Sequence, residues 1–207
     1  MSNLIAIVDY DVGNVAAVAN MLKRLGHRAA VTANPDDIRQ ADRLILPGNG
    51  SFDACMGNLR ASGLIPLLEE RVLGDGVPLL GICVGAQMLG VCSMEGRESG
   101  LGWVDVESVR FSESLRLPIP HMGWASVRRG DAGNQLVKDL DDGARFYFVH
   151  SYYLAPKNAD EAMLWSNYGS PFVAGVAQKN VFGVQFHPEK SHRYGKILLD
   201  SFARIEA

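Results

Sequence analysis

The chain carries 207 residues with a net charge of −3, 47% of them hydrophobic and 21% charged. That is the profile of one globular domain over residues 1–207 rather than of a disordered or fibrous chain. No apolar run approaches the ~18 residues of a membrane span, no dense basic run offers a footprint for nucleic acid, and an odd set of cysteines without a C-x-x-C pair (Cys55, Cys83, Cys92) argues against disulfides and zinc.

The N-terminus, Met1-Ser-Asn-Leu-Ile-Ala-Ile-Val-Asp9, has no basic n-region and enters a strand-like run at once, so a cytoplasmic protein without a signal peptide is expected. Leu4 to Asp9 predicts a strand, Val15 to Leu25 a helix closed by Gly26, and His27 to Thr32 a second strand. Asn34-Pro35-Asp36-Asp37 opens a short helix, and Arg43 to Leu46 forms a third strand ending in Pro47-Gly-Asn-Gly50. Helices over Phe52 to Arg60 and Ile65 to Leu73 lead to the strand before Cys83. Strands alternating with helices imply a parallel sheet with crossover helices. From Gly102 onward short alternating runs predict a second, largely antiparallel set: Trp103 to Phe111, Trp124 to Arg128, Arg145 to Val149, Ala162 to Ser166, Phe172 to Gln178 and Val181 to Phe186. Ser191 is positioned to cap a final helix reaching Ile205, and Arg129 to Gly143 reads as a surface excursion. The expected class is therefore α/β, an open, mostly parallel sheet flanked by helices with antiparallel strands in the C-terminal half.

Cys83 lies where an apolar strand breaks into a helix, in Pro78-Leu-Leu-Gly-Ile-Cys-Val-Gly-Ala-Gln-Met-Leu-Gly90. This is the layout of a nucleophile elbow. Gly81 and Gly85 remove the Cβ atoms that would crowd the turn, and the helix N-terminus favours thiolate. A lone buried cysteine is more often a small hydrophobe, the reading given to Cys55 and Cys92. Cys83 differs by sitting at the carboxyl end of a parallel strand, where open α/β sheets bind ligands. His187 and Glu189 of Phe182-Gly-Val-Gln-Phe-His-Pro-Glu-Lys190 supply a base and an orienting carboxylate, although alone they would read as an exposed turn. Pro47-Gly-Asn-Gly50 lacks a phosphate-loop completion; its peptides are better used to aim N–H groups at an oxyanion. The loose grouping of His187, Glu189 and His192 does not have metal-ligand spacing. No metal or cofactor is expected.

These motifs, together with Ile7-Val-Asp-Tyr-Asp-Val-Gly-Asn14, Pro120-His-Met-Gly-Trp124 and Tyr147-Phe-Val-His-Ser-Tyr-Tyr153, make the chain similar to the class I, triad-type glutamine amidotransferases. Within them it resembles, nearly end to end, the glutaminase subunits of imidazole glycerol phosphate synthase. The resemblance implies a flavodoxin-like fold and hydrolysis of glutamine through a Cys83 thioester, with His187 as base then acid and Glu189 as its orienter. It implies an oxyanion hole from Val84 N–H and a peptide N–H near Asn49, and a glutamine pocket lined by Gly48, Gln87, Glu95, Ser151 and Tyr152. It further implies a heterodimer with a (βα)8-barrel cyclase subunit that receives the ammonia, with Asn14, Trp124, Tyr147 and Lys190 on or near the docking face and its gate. Relatives usually carry Gly at Asp11, Val at Asn49, Leu at Val84, Met at Ala86 and Asn at Ala125. Such drift also suits a paralogous glutaminase that feeds a sugar amidotransferase of surface polysaccharides. A catalytically silent scaffold is the reading from another class, opposed by the intact Cys83, His187 and Glu189.

Overall fold

A computed structural model describes residues 4–130 and 134–206. Residues 1–3 of the N-terminal run and 131–133 of the expected surface excursion lie outside the described residues. In chain order the elements are β1 (Leu4–Val8), α1 (Val15–Arg24), β2 (Arg28–Thr32), α2 (Pro35–Gln40), β3 (Arg43–Gly48), α3 (Phe52–Ala61), α4 (Ile65–Glu69), β4 (Leu79–Cys83) and α5 (Val84–Met88). There follow β5 (Cys92–Ser93), β6 (Val106–Arg110), β7 (His121–Ser126), β8 (Arg128–Arg129), β9 (Arg145–His150), β10 (Tyr152–Pro156), β11 (Ala162–Tyr168), β12 (Ser170–Gln178), β13 (Val181–Val184) and α6 (His192–Ala203).

The main sheet runs β2-β1-β3-β4-β13-β12-β10-β6-β5, with β11 pairing β12 and β8. β2, β1, β3, β4 and β13 are mutually parallel. Every residue of β1, β3, β4 and β13 is buried, which is why these strands read as unbroken apolar runs rather than alternating ones. Helix α1 ends as expected at Gly26, whose φ of 87° lets its N–H reach Lys23 O while His27 N–H reaches Leu22 O. Asn34 accepts from Asp36 N–H at 3.0 Å to cap α2, and Ser51 accepts from Ala54 N–H at 3.4 Å to cap α3.

Several expectations need correction. β13 does not join the antiparallel set on both sides; it pairs in parallel with β4 and antiparallel with β12, placing the C-terminal motif beside Cys83. The helix predicted from Ile65 to Leu73 is α-helical only to Glu69 and continues as a π-turn over Glu70–Gly74. The segment predicted from Trp124 to Arg128 begins at His121 and breaks at buried Val127, where the chain leaves β9 for β11. β5 was not expected. Ser191 does not cap α6: its hydroxyl instead accepts from Tyr147 N–H at 3.0 Å and donates to His187 O at 2.6 Å. Cys55 is fully buried, as expected, whereas Cys92 is only half-buried on β5.

Candidate active site

Three neighbouring parallel strands end together. Gly48 at the end of β3 is in register with Cys83 at the end of β4, and Ile82 pairs with Val184, the last residue of β13. Cys83 adopts φ 56° and ψ −114°, a left-handed conformation unusual for a residue with a side chain, which turns the sulfur off the sheet. The neighbouring glycines are sterically required: a Cβ on Gly85 would lie 2.0 Å from Leu46 O, one on Gly48 2.2 Å from Gly85 N, and one on Gly81 2.8 Å from Gly85 O. The helix after the elbow spans only five residues, so the macrodipole assists less than its sequence suggests. The first-turn N–H groups, which have no acceptor within the helix, remain.

Beyond β13, His187 Nδ1 meets Glu189 Oε1 at 2.8 Å, and both side chains are almost wholly buried. The intervening Pro188 opens a 3-10 turn over Pro188–Lys190. The turn is pinned from β9, because His187 N–H donates to Tyr147 O at 3.0 Å and Tyr147 N–H donates to Ser191 Oγ. Burial opposes protonation of His187, but Cys83 and Glu189 outweigh it and push the imidazole up to about 9. Its Nε2 is buried and has no hydrogen-bond partner among the described residues.

A pocket with a cavity volume of about 170 Å³ opens at this point, lined in part by Asn49, Cys83, Gln87, Glu95, Ser151 and Tyr152. Glu95 is exposed at the rim, with Oε2 held by Phe52 N–H at 2.9 Å. Val84 is also on the lining. Gly48 does not line the pocket but packs behind it against the Val84 and Gly85 backbone. On the outside, Trp124 and Met122 of β7 are 40% and 63% exposed. Trp124 stacks on His192 at 5.4 Å and meets Tyr147 edge-on, and Lys190 Nζ lies 5.9 Å from the Tyr147 ring centre. Asn14 is exposed at the N-cap of α1 and makes no capping bond. His192, engaged with Trp124, does not join His187 and Glu189, and no cluster of three potential metal ligands occurs among the described residues.

Sequence reasoning passed over four polar residues. Tyr10 donates its hydroxyl to Pro47 O, while the Cys55 thiol, pushed up by burial, donates to Asn49 O at 3.5 Å. Gln185 is fully buried, with Nε2 at 3.9 Å from Cys83 Sγ. His150 lines the pocket and is bonded to His121. All but Cys55 lie in the sequence motifs that carry the family resemblance, and that membership was the available signal.

The family model described as glutamine amidotransferase class-I matches residues 6–204. The chain is 49% identical over 202 residues, 98% of this chain and 100% of the relative, to imidazole glycerol phosphate synthase subunit HisH 2 of Pseudomonas aeruginosa. It is 46% identical to subunit HisH of Bdellovibrio bacteriovorus, over 98% and 100% of the two chains. Among solved structures it is similar to PurLQS from Thermotoga maritima, with a TM-score of 0.73 at 19% identity over 98% of each chain. A glutamine amidotransferase from the same organism gives 0.65 at 16% over 98% of this chain and 83% of that one. The chain belongs to the class-I glutamine amidotransferases and, within them, to the HisH glutaminase subunits of imidazole glycerol phosphate synthase.

Proposed function

We propose that this chain hydrolyses L-glutamine to L-glutamate and ammonia through a thioester on Cys83, and passes the ammonia to a (βα)8-barrel cyclase subunit that makes imidazole glycerol phosphate and AICAR in histidine biosynthesis. The observation that carries the reading is the strained Cys83 elbow beside a buried His187–Glu189 pair at 2.8 Å. The Cys83 thiol proton passes to His187 before attack, so that Sγ adds to the amide carbon as thiolate, and His187 gives the proton to the leaving nitrogen as the C–N bond breaks. Glu189 holds the Nδ1 proton, so that Nε2 faces the sulfur and the imidazolium is stabilised. Water then attacks the thioester with His187 again as base, and Cys83 leaves with a proton. Val84 N–H and the peptide N–H at Asn49 receive the tetrahedral oxyanion. Glu95 and Gln87 hold the charged ends of glutamine, with Ser151 and Tyr152 as the facing wall.

Free ammonia is protonated in water and lost as a nucleophile, so delivery needs a docked acceptor. The exposed Met122 and Trp124, with Tyr147 and Lys190 beside them, form a face that suits one, and it touches the catalytic turn through the Tyr147 backbone. A second reading, a paralogue serving sugar amidation, draws on the relatives from Pseudomonas aeruginosa and Methanococcus maripaludis being numbered HisH 2. Glutamate formation is measured for the chain alone, then with a histidine-pathway cyclase subunit and its nucleotide ligand. Strong activation supports the histidine role. No activation, with a thiol-reactive glutamine analogue still labelling Cys83, transfers the glutaminase to another partner; no labelling leaves a silent scaffold.

A further inference from the structure

A continuous chain of buried and part-buried polar contacts runs from β7 to the sulfur. His121 and His150 face each other across β7 and β9, with His121 Nδ1 at 3.2 Å from His150 Nε2. His150 Nδ1 lies 2.7 Å from the Tyr152 carbonyl. A carbonyl only accepts, so the His150 proton sits on Nδ1 and its Nε2 lone pair receives the His121 Nδ1–H. Both rings are 6% exposed or less. They pack among Phe111, Phe148, Tyr168 and Phe172, and burial holds both imidazoles neutral, lowered to about 4 for His121 and about 3 for His150.

The Tyr152 carbonyl accepts a second bond, from Gln87 Nε2 at 3.2 Å, and the same nitrogen donates to Gln185 Oε1 at 3.1 Å. A flipped Gln87 amide would set its oxygen against two acceptors. The orientation is thereby fixed, and it leaves Gln87 Oε1, in a residue on the pocket wall, buried without a partner among the described residues. An acceptor desolvated and unpaired in this way is costly unless a ligand donates to it.

We infer that His121 and His150 are positioning residues of the glutamine pocket: as a neutral pair of fixed tautomer they anchor the Tyr152 carbonyl, which with Gln185 turns Gln87 Oε1 toward the substrate. The inference rests on the glutaminase reading and extends it to two side chains that never touch the reacting atoms.

The test is the saturation kinetics of Cys83 labelling by a thiol-reactive glutamine analogue, set against simple alkylation by iodoacetamide. His150→Phe keeps a ring but removes the donor to Tyr152, and should weaken half-saturation by about tenfold with the iodoacetamide rate within about twofold of wild type. In His150→Asn the amide nitrogen stands close to where Nδ1 stood, and half-saturation should return to within about threefold of wild type. Should His150→Phe not fold, His121→Phe, a ring placed among rings, carries the same test. Wild-type half-saturation in a folded Phe variant overturns the proposal. So does equal impairment of His150→Asn and His150→Phe, or a parallel fall in iodoacetamide reactivity, which would put the effect on the sulfur. A wild-type chain that reacts with iodoacetamide but never saturably with the analogue removes the glutaminase reading itself.

Discussion

Two departures from the usual family residues sit on the backbone where it matters. Asp11 has φ 63°, so it occupies a conformation that glycine adopts freely and a side chain resists. Local compensation comes from an N–H bond to Asp9 Oδ1 at 3.3 Å. Asp11→Gly should stabilise the fold by about 0.5–1 kcal/mol, the relieved strain less the entropy of a freer unfolded chain, which a urea titration reads directly. Asn49 lies between β3 and Gly50, with its carbonyl held by Cys55 and that of Pro47 held by Tyr10. The peptide between these anchors is the part left to reorient toward an oxyanion. Asn reaches unusual backbone angles more readily than a β-branched residue, so Asn49→Val should lower the uncoupled glutaminase rate by roughly fivefold, the equivalent of ~1 kcal/mol. Unchanged basal turnover would remove that idea.

Among the elements, the turn carrying His187 is the one whose support is least local. Ser191 Oγ is buried and joins the turn to β9 by accepting from Tyr147 N–H and donating to His187 O. Ser191→Ala leaves the Tyr147 N–H without this partner, while His187 O keeps the Lys190 N–H. A loss of about 2 kcal/mol in urea unfolding is expected, together with a fall in turnover that outlasts any condition restoring the fold, because the imidazole is no longer held against Glu189. Retention of full turnover by a destabilised variant would confine Ser191 to a structural role. Sequence pattern alone assigned this serine to a helix cap. The residue type was right for a cap, but the strand that claims its hydroxyl lies 44 positions earlier.

For the whole molecule, buried histidines set the pH range of stability from both sides. His121 and His150 are lowered in the fold from their ordinary value of 6.5, so the unfolded chain binds protons first and their contribution is lost as pH falls from about 6.5 through 4 toward 3. His187 is raised to about 9, so its contribution is complete below about 6.5 and lost as pH rises through 9. Melting temperature should therefore decline on both flanks, with His121→Phe flattening the acid flank and His187→Gln the alkaline one. A His121→Phe variant with the wild-type acid slope would show that carboxylates alone set it.

The sequence by itself determined what depends on neighbours along the chain: the alternation of strands and helices, the helix stop at Gly26, the glycines that admit the Cys83 elbow, and the rigid spacing of His187 and Glu189 across a proline. Each of these is a short-range backbone constraint. Only the tertiary structure decided that β13 enters the sheet beside β4, which brings His187 to Cys83 and sets Gln185 against a glutamine 98 residues earlier. His121 and His150 gave no signal beyond motif membership, for the same reason. A polar side chain in an apolar strand looks alike whether it faces solvent or an orphaned carbonyl, and its partner is chosen by strand order, which local pattern does not encode.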